Sequence, residues 1–143
     1  MQQPEDLPEE LIEAITKWAE VDARIVALAL VGSHARGKAS LTADIDLIVV
    51  CKNPPELLND QSWTQKFGPG KTSGVEDYSL VQSVRVFYDD GAEVEFGVTS
   101  LAWTNIPIDE GTMTVMRNGM RILYDPEKRL KRALGFAQEK SQM

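Results

Sequence analysis

At 143 residues with 43% apolar side chains, the chain has the length of one domain and enough apolar material to build a core. Its formal charge of −7, from 22 acidic against 15 basic residues, disfavours DNA or tRNA as the main partner. Such affinity rests on Lys and Arg neutralising phosphates, whereas a cationic small molecule is easier to accommodate. The single cysteine, Cys51, excludes an internal disulfide, and with no signal peptide and no apolar run near twenty residues the expectation is a soluble, cytoplasmic chain outside the membrane.

In chain order, residues 1–5 are polar and read as a frayed start. Asp6 is placed to cap a helix whose apolar positions Leu11, Ile12, Ile15, Trp18 and Ala19 recur at helical spacing, which assigns Trp18 to the core. Arg24 to Val31 is a continuous run rich in β-branched residues that ends at Gly32, the pattern of a buried strand. A polar turn follows and opens a short helix with Ser33 at its start, where a hydroxyl beside unpaired backbone N–H groups suits a phosphate. Asp44 to Cys51 is a second strand with Asp44 and Asp46 at its head, two apart and hence on one side. A phosphate cradle beside two parallel carboxylates is chemistry for a nucleotide carried by a divalent metal. The plainer alternative is a tight strand-to-helix turn and two solvated aspartates.

Asn53-Pro54-Pro55 breaks the chain, Glu56 to Phe67 reads as a weak helix, and 68–74 reads as a mobile loop. Gly70-Lys71-Thr72 imitates the end of a P-loop, but the first glycine of that motif falls on Gln65 and the flanking strand and helix are missing, so the loop is at most a lid from which Lys71 touches phosphate. Leu80 to Tyr88 and Ala92 to Thr99 form a hairpin through Asp89-Asp90-Gly91, with Val94, Phe96 and Val98 on one face and Glu93, Glu95 and Gly97 on the other. A helix entered near Asp109 and stopped by Asn118-Gly119, a strand Met120–Tyr124, and a final helix begun at Asp125-Pro126 with Leu130, Leu134 and Ala137 as its stripe complete the chain. Met113, Met116 and Met120 are packing residues, and His34 lines the turn after Gly32.

Gly32-Ser33, ten intervening residues and Asp44-x-Asp46 resemble the signature of the polymerase-beta-like nucleotidyltransferase superfamily. A strand precedes Gly32, Arg36-Gly37 follows it, and Ile45, Leu47, Ile48 and Val49 flank the acids. Asp90 to Phe96 looks like the corresponding segment of streptomycin-type aminoglycoside adenylyltransferases, and strand, Tyr124-Asp125-Pro126, helix resembles the way small-molecule nucleotidyltransferase domains close. The resemblance spans Val21 to Leu134 and is most specific from Val31 to Val50.

That resemblance implies a nucleotidyltransferase fold of the α/β (α+β) class, a small mixed β-sheet with helices packed on one face, in a single domain over 1–143. It implies a Mg²⁺-dependent enzyme moving a nucleoside monophosphate, AMP from ATP, to a hydroxyl of a small cationic acceptor. Asp44, Asp46 and Glu95 would be the catalytic and metal-binding carboxylates, holding two Mg²⁺ ions for which Mn²⁺ can substitute, and Gly32, Ser33 and Arg36 would bind the nucleotide. Glu95 matches the family's third carboxylate through Val94-Glu95-Phe96, although aspartate is usual there, and Glu93 on the same face remains the alternative. The aminoglycoside enzymes add a helical domain, so the acceptor pocket is expected to be shallow, shared across a homodimer or supplied by a partner. Two other readings stay open: a minimal nucleotidyltransferase antitoxin that binds and modifies a small helical toxin, and a nucleotide-binding domain that has lost catalysis.

Overall fold

Seven consecutive apolar residues, Ile25–Val31 (β1), are all buried. The computed structural model describes residues 7–37 and 44–141, so the expected Asp6 cap and the start at 1–5 lie outside the described residues. Around β1 are strands β2 (Ile45–Cys51), β3 (Gly70–Tyr78), β4 (Val81–Tyr88), β5 (Glu93–Thr99) and β6 (Met120–Tyr124). The helices are α1 (Leu7–Val21), α2 (Gly32–Ala35), α3 (Pro54–Asn59), α4 (Glu110–Arg117) and α5 (Arg129–Ser141). The strands form a six-stranded sheet in the order β3-β4-β5-β2-β1-β6. The β2–β5 pair is parallel and the other pairs are antiparallel, so the sheet is mixed, as expected.

A strand buried along its whole length needs cover on both faces, and both are covered. Leu28 and Leu30 of β1 and Leu47 and Val49 of β2 pack with Ile12, Ile15, Trp18 and Ala19 of α1. Ala27, Ala29 and Val31 turn the other way, against Trp103, Met116 of α4 and Leu130, Ala133 and Ala137 of α5. The expectation of helices on one face is corrected here, and the cause was already visible in the unbroken apolar run of β1. Trp18 is core as expected, stacked on Trp63 at 5.0 Å between ring centroids.

Two further expectations are revised. The helix expected over Glu56 to Phe67 is two pieces, α3 and a 3-10 turn Ser62–Phe67. Asp60 accepts a hydrogen bond from the Ser62 backbone N–H (3.1 Å), a local bond that competes with helix continuation. The expected mobile loop at 68–74 instead starts β3, an edge strand on which Lys71 stands opposite Phe87. Glycine, lysine and an irregularity between Thr72 and Val75 mark it as an edge rather than a lid. In the C-terminal third α4 and β6 follow expectation, whereas the final helix begins at Arg129 rather than at Asp125-Pro126. Asp109 caps α4 by accepting from Thr112 N–H (3.3 Å), and Asn118 closes it. Asp125 accepts from the N–H groups of Leu130 (3.1 Å) and Lys131 (2.9 Å), so it caps α5 from ahead of its first turn. Among the described residues no helix is long and apolar enough to cross a membrane.

Gly97 shows how tightly the sheet is closed on the α4–α5 side. A Cβ there would lie 2.9 Å from Val81 Cγ1 and 3.1 Å from both Ile48 Cδ1 and the Leu47 carbonyl oxygen. Gly97→Ala is therefore expected to lower stability by about 1–3 kcal/mol, the usual cost of overpacking. Urea unfolding with an unchanged midpoint would show that β4, β5 and β2 have slack at this point.

Candidate active site

The site starts where β1 ends. Val31 pairs with Asp46 across the antiparallel β1–β2 ladder, and the chain then turns at Gly32, whose φ is +75°. A Cβ on Gly32 would lie 2.5 Å from Asp46 Oδ2, so glycine is required both for the backbone conformation and for the approach of that carboxylate. Ser33 is the second residue of α2 rather than its cap; the cap position is Val31, which has no side-chain cap bond. Arg36 follows α2, and its guanidinium donates to the Asn118 carbonyl oxygen (3.1 Å), tying the turn to the end of α4.

The parallel register of β2 with β5 places Asp46 beside Glu95 and Ile45 beside Val94, so Asp44, one residue earlier, falls beside Glu93. Four carboxylates thus form two rungs on one face of the sheet, Asp46 with Glu95 and Asp44 with Glu93. Both candidates for the third carboxylate are in the group: Glu95 next to Asp46, and Glu93 next to Asp44.

The electrostatics follow from this crowding. Burial first, and then the charges of Glu95 and Asp44, push the Asp46 carboxyl up to about 6. In the other rung the bond from Glu93 holds Asp44 below the usual carboxylate range, with Arg85 adding to the effect. Glu93 moves up in turn, chiefly through the same bond to Asp44.

The residue that sequence reasoning missed is Arg85 on β4, directly across the ladder from Glu95. Its Nη1 donates to Asp44 Oδ2 at 2.6 Å and lies 3.3 Å from Glu93 Oε2, while Nη2 lies 3.6 Å from Glu95 Oε2. Its position was latent in the hairpin through Asp89-Asp90-Gly91, because counting back from that turn sets Arg85 opposite Glu95.

Asp46, Glu95 and Arg85 of this group border a cavity of about 590 Å³, whereas Asp44, Glu93 and Ser33 are not among its lining residues. Gly32, Arg36, Asp46, Arg85 and Glu95 form the polar side, and Tyr78 and Leu80 from the β3–β4 turn, Trp103 and the start of α4 form the other. Carboxylate oxygens are the donors that hard divalent cations take, and Gly32 leaves Asp46 Oδ2 the space it needs. The donor set therefore fits such an ion in its chemistry. Among the described residues no trio of acidic, histidine or cysteine side chains is already gathered as a metal shell.

Comparison with known proteins agrees with this architecture. The profile of the streptomycin adenylyltransferase family matches residues 7–139. No curated protein matches the chain by sequence. Among solved structures, an aminoglycoside 6-adenyltransferase from Bacillus subtilis superposes with a TM-score of 0.51 at 13% identity, over 72% of this chain and 37% of that one. The chain thus spans little more than a third of that enzyme, and the likeness is one of fold. The small alarmone synthetase 1 from Bacillus subtilis, solved with its product pppGpp, gives a TM-score of 0.41 at 13% identity over 96% of this chain and 85% of that one. With a profile match over nearly its whole length, the chain belongs to the streptomycin adenylyltransferase family, and its mixed sheet has the fold seen in the aminoglycoside 6-adenyltransferase.

Proposed function

We propose that this chain transfers AMP from ATP to a hydroxyl of a small cationic acceptor of the aminoglycoside type, in a reaction that depends on a divalent metal. The observation that carries the proposal is the pairing of Asp46 with Glu95 directly beside the Gly32 turn, so that these two acids and the glycine border one cavity. In this reading Asp44, Asp46 and Glu95 hold Mg²⁺, two ions for which Mn²⁺ can substitute. The metal supplies neutralisation of the charge that builds on the attacking and leaving oxygens during in-line displacement at the α-phosphorus.

The chain's own groups do the rest. Backbone N–H groups at Gly32 and Ser33 and the Ser33 hydroxyl hold the β- and γ-phosphates, since the first N–H groups of α2 have no partner within the helix. Arg36 adds a charge-assisted contact on leaving the Asn118 carbonyl. Glu95 takes the proton from the acceptor hydroxyl. The net charge of −7 favours a cation over a nucleic acid as acceptor. The cytoplasm, where ATP is available, is the compartment proposed.

The test is transfer from labelled ATP to a panel of aminoglycosides with Mg²⁺. Glu95→Gln is expected to bind ATP nearly normally and to lose about 10²-fold or more in turnover, while Ser33→Ala weakens ATP binding. Full turnover in Glu95→Gln together with loss in Glu93→Gln would transfer the base to Glu93.

A second measurement needs no substrate. Asp46 has a folded-state value of about 6 against an ordinary 3.8, so between those values the native state holds more protons than the unfolded one. The stability this group contributes is complete below about pH 4 and is lost as the pH rises through about 6. Asp46→Asn removes the loss. In metal-free buffer at pH 7.5 the variant is expected to gain about 1 kcal/mol after allowance for solvent screening, a rise of a few degrees in Tm. The gain should shrink toward pH 4. A lower Tm at pH 7.5 would instead identify Asp46 as a structural carboxylate whose hydrogen-bond donors have been left unpaired.

A further inference from the structure

Three carboxylates of the site share one guanidinium. Arg85 reaches Asp44 at 2.6 Å, Glu93 at 3.3 Å and Glu95 at 3.6 Å from a strand that carries no acidic residue of its own. Asp46 lies beyond its ion-pairing distance among the described residues. The rigid fork of an arginine suits such multiple contact, and it occupies oxygens that a divalent ion would need. We propose that Arg85 is a positioning residue of the metal site: a tethered cation that keeps Asp44, Glu93 and Glu95 together in the ion-free state and must withdraw for a divalent ion to bind. The inference rests on the metal-dependent reading above.

The physical basis is competition between like charges for the same oxygens. A divalent ion binds carboxylate oxygens by direct coordination, and a guanidinium held by those same oxygens repels it. Arg85 has somewhere to go, because its side chain keeps 24% of its surface exposed and it borders the cavity. A triphosphate entering that cavity offers the displaced guanidinium a new anionic partner. Ion and nucleotide therefore bind cooperatively: each is weak alone, and each relieves the cost of the other.

The experiment is direct Mn²⁺ titration, by electron paramagnetic resonance or calorimetry, of the wild type, Arg85→Gln and Arg85→Lys, with and without a non-hydrolysable ATP analogue. Without nucleotide, Arg85→Gln is expected to bind Mn²⁺ about tenfold more tightly than the wild type, with Arg85→Lys between them. The analogue should then tighten Mn²⁺ binding strongly in the wild type and little in Arg85→Gln. A merely structural arginine would weaken the fold and the ion site together on removal, so tighter binding is a result it does not give. Should Arg85→Gln fail to fold, Arg85→Lys carries the comparison. Mn²⁺ affinity that is equal or weaker in the variants, with binding intact in the wild type, overturns the role of Arg85 and leaves the metal reading standing. No Mn²⁺ binding by any folded variant, with or without the analogue, overturns both.

Discussion

Like charges do not gather on a protein surface unless something stronger than their repulsion brings them there, and in this molecule that is the parallel pairing of β2 with β5. The register that sets Asp46 beside Glu95 also sets Leu47 beside Phe96 and Val49 beside Val98. Those apolar side chains are buried on the α1 side. A slip of one residue would drive the acids into the core and the core residues to the opposite face, so burial of the apolar set locks the acidic set in place. The core positions the site, and the site's repulsion is a small charge against a large hydrophobic gain.

The division of the helices follows from the same sheet. α1 and the Trp18–Trp63 stack close one face. On the other, α4 and α5 cover β1 and its neighbours and leave open the end of β4 and β5 where the acids emerge. The uncovered region is the cavity, bounded by the β3–β4 turn on one side and by the start of α4 on the other. Four carboxylates crowd around Arg85 on this face, and the cavity beside them is lined by Arg36 and Arg85 together with Asp46, Glu95 and Asp109.

What could be read from the sequence was what the local pattern dictates. β1 and β2 are unbroken apolar runs, the hairpin carries Asp89-Asp90-Gly91, and Asp109, Asn118 and Asp125 mark helix ends by side-chain chemistry. The meeting of Gly32, Asp46 and Glu95 at one cavity was legible because the motif and its strands coincide. The features that escaped depend on partners far away in sequence. β3 is made a strand by β4 despite its glycine- and lysine-rich start, and local propensity carries no sign of that. Arg85 meets Asp44 across 41 positions, through two strand pairings that have to be assembled before the contact exists. The two-sided covering of the sheet was implied by β1 and needed only a strict reading of burial.

The placement of the three tryptophans has an optical consequence. Trp18 and Trp63 stack face to face, with 6° between their ring planes, on the side of the sheet away from the acids. Trp103 is buried on the opposite side and borders the cavity. The stacked pair therefore gives a near-ultraviolet circular dichroism signal tied to the packing of the α1 side, while the third indole stands at the wall of the cavity on the other side.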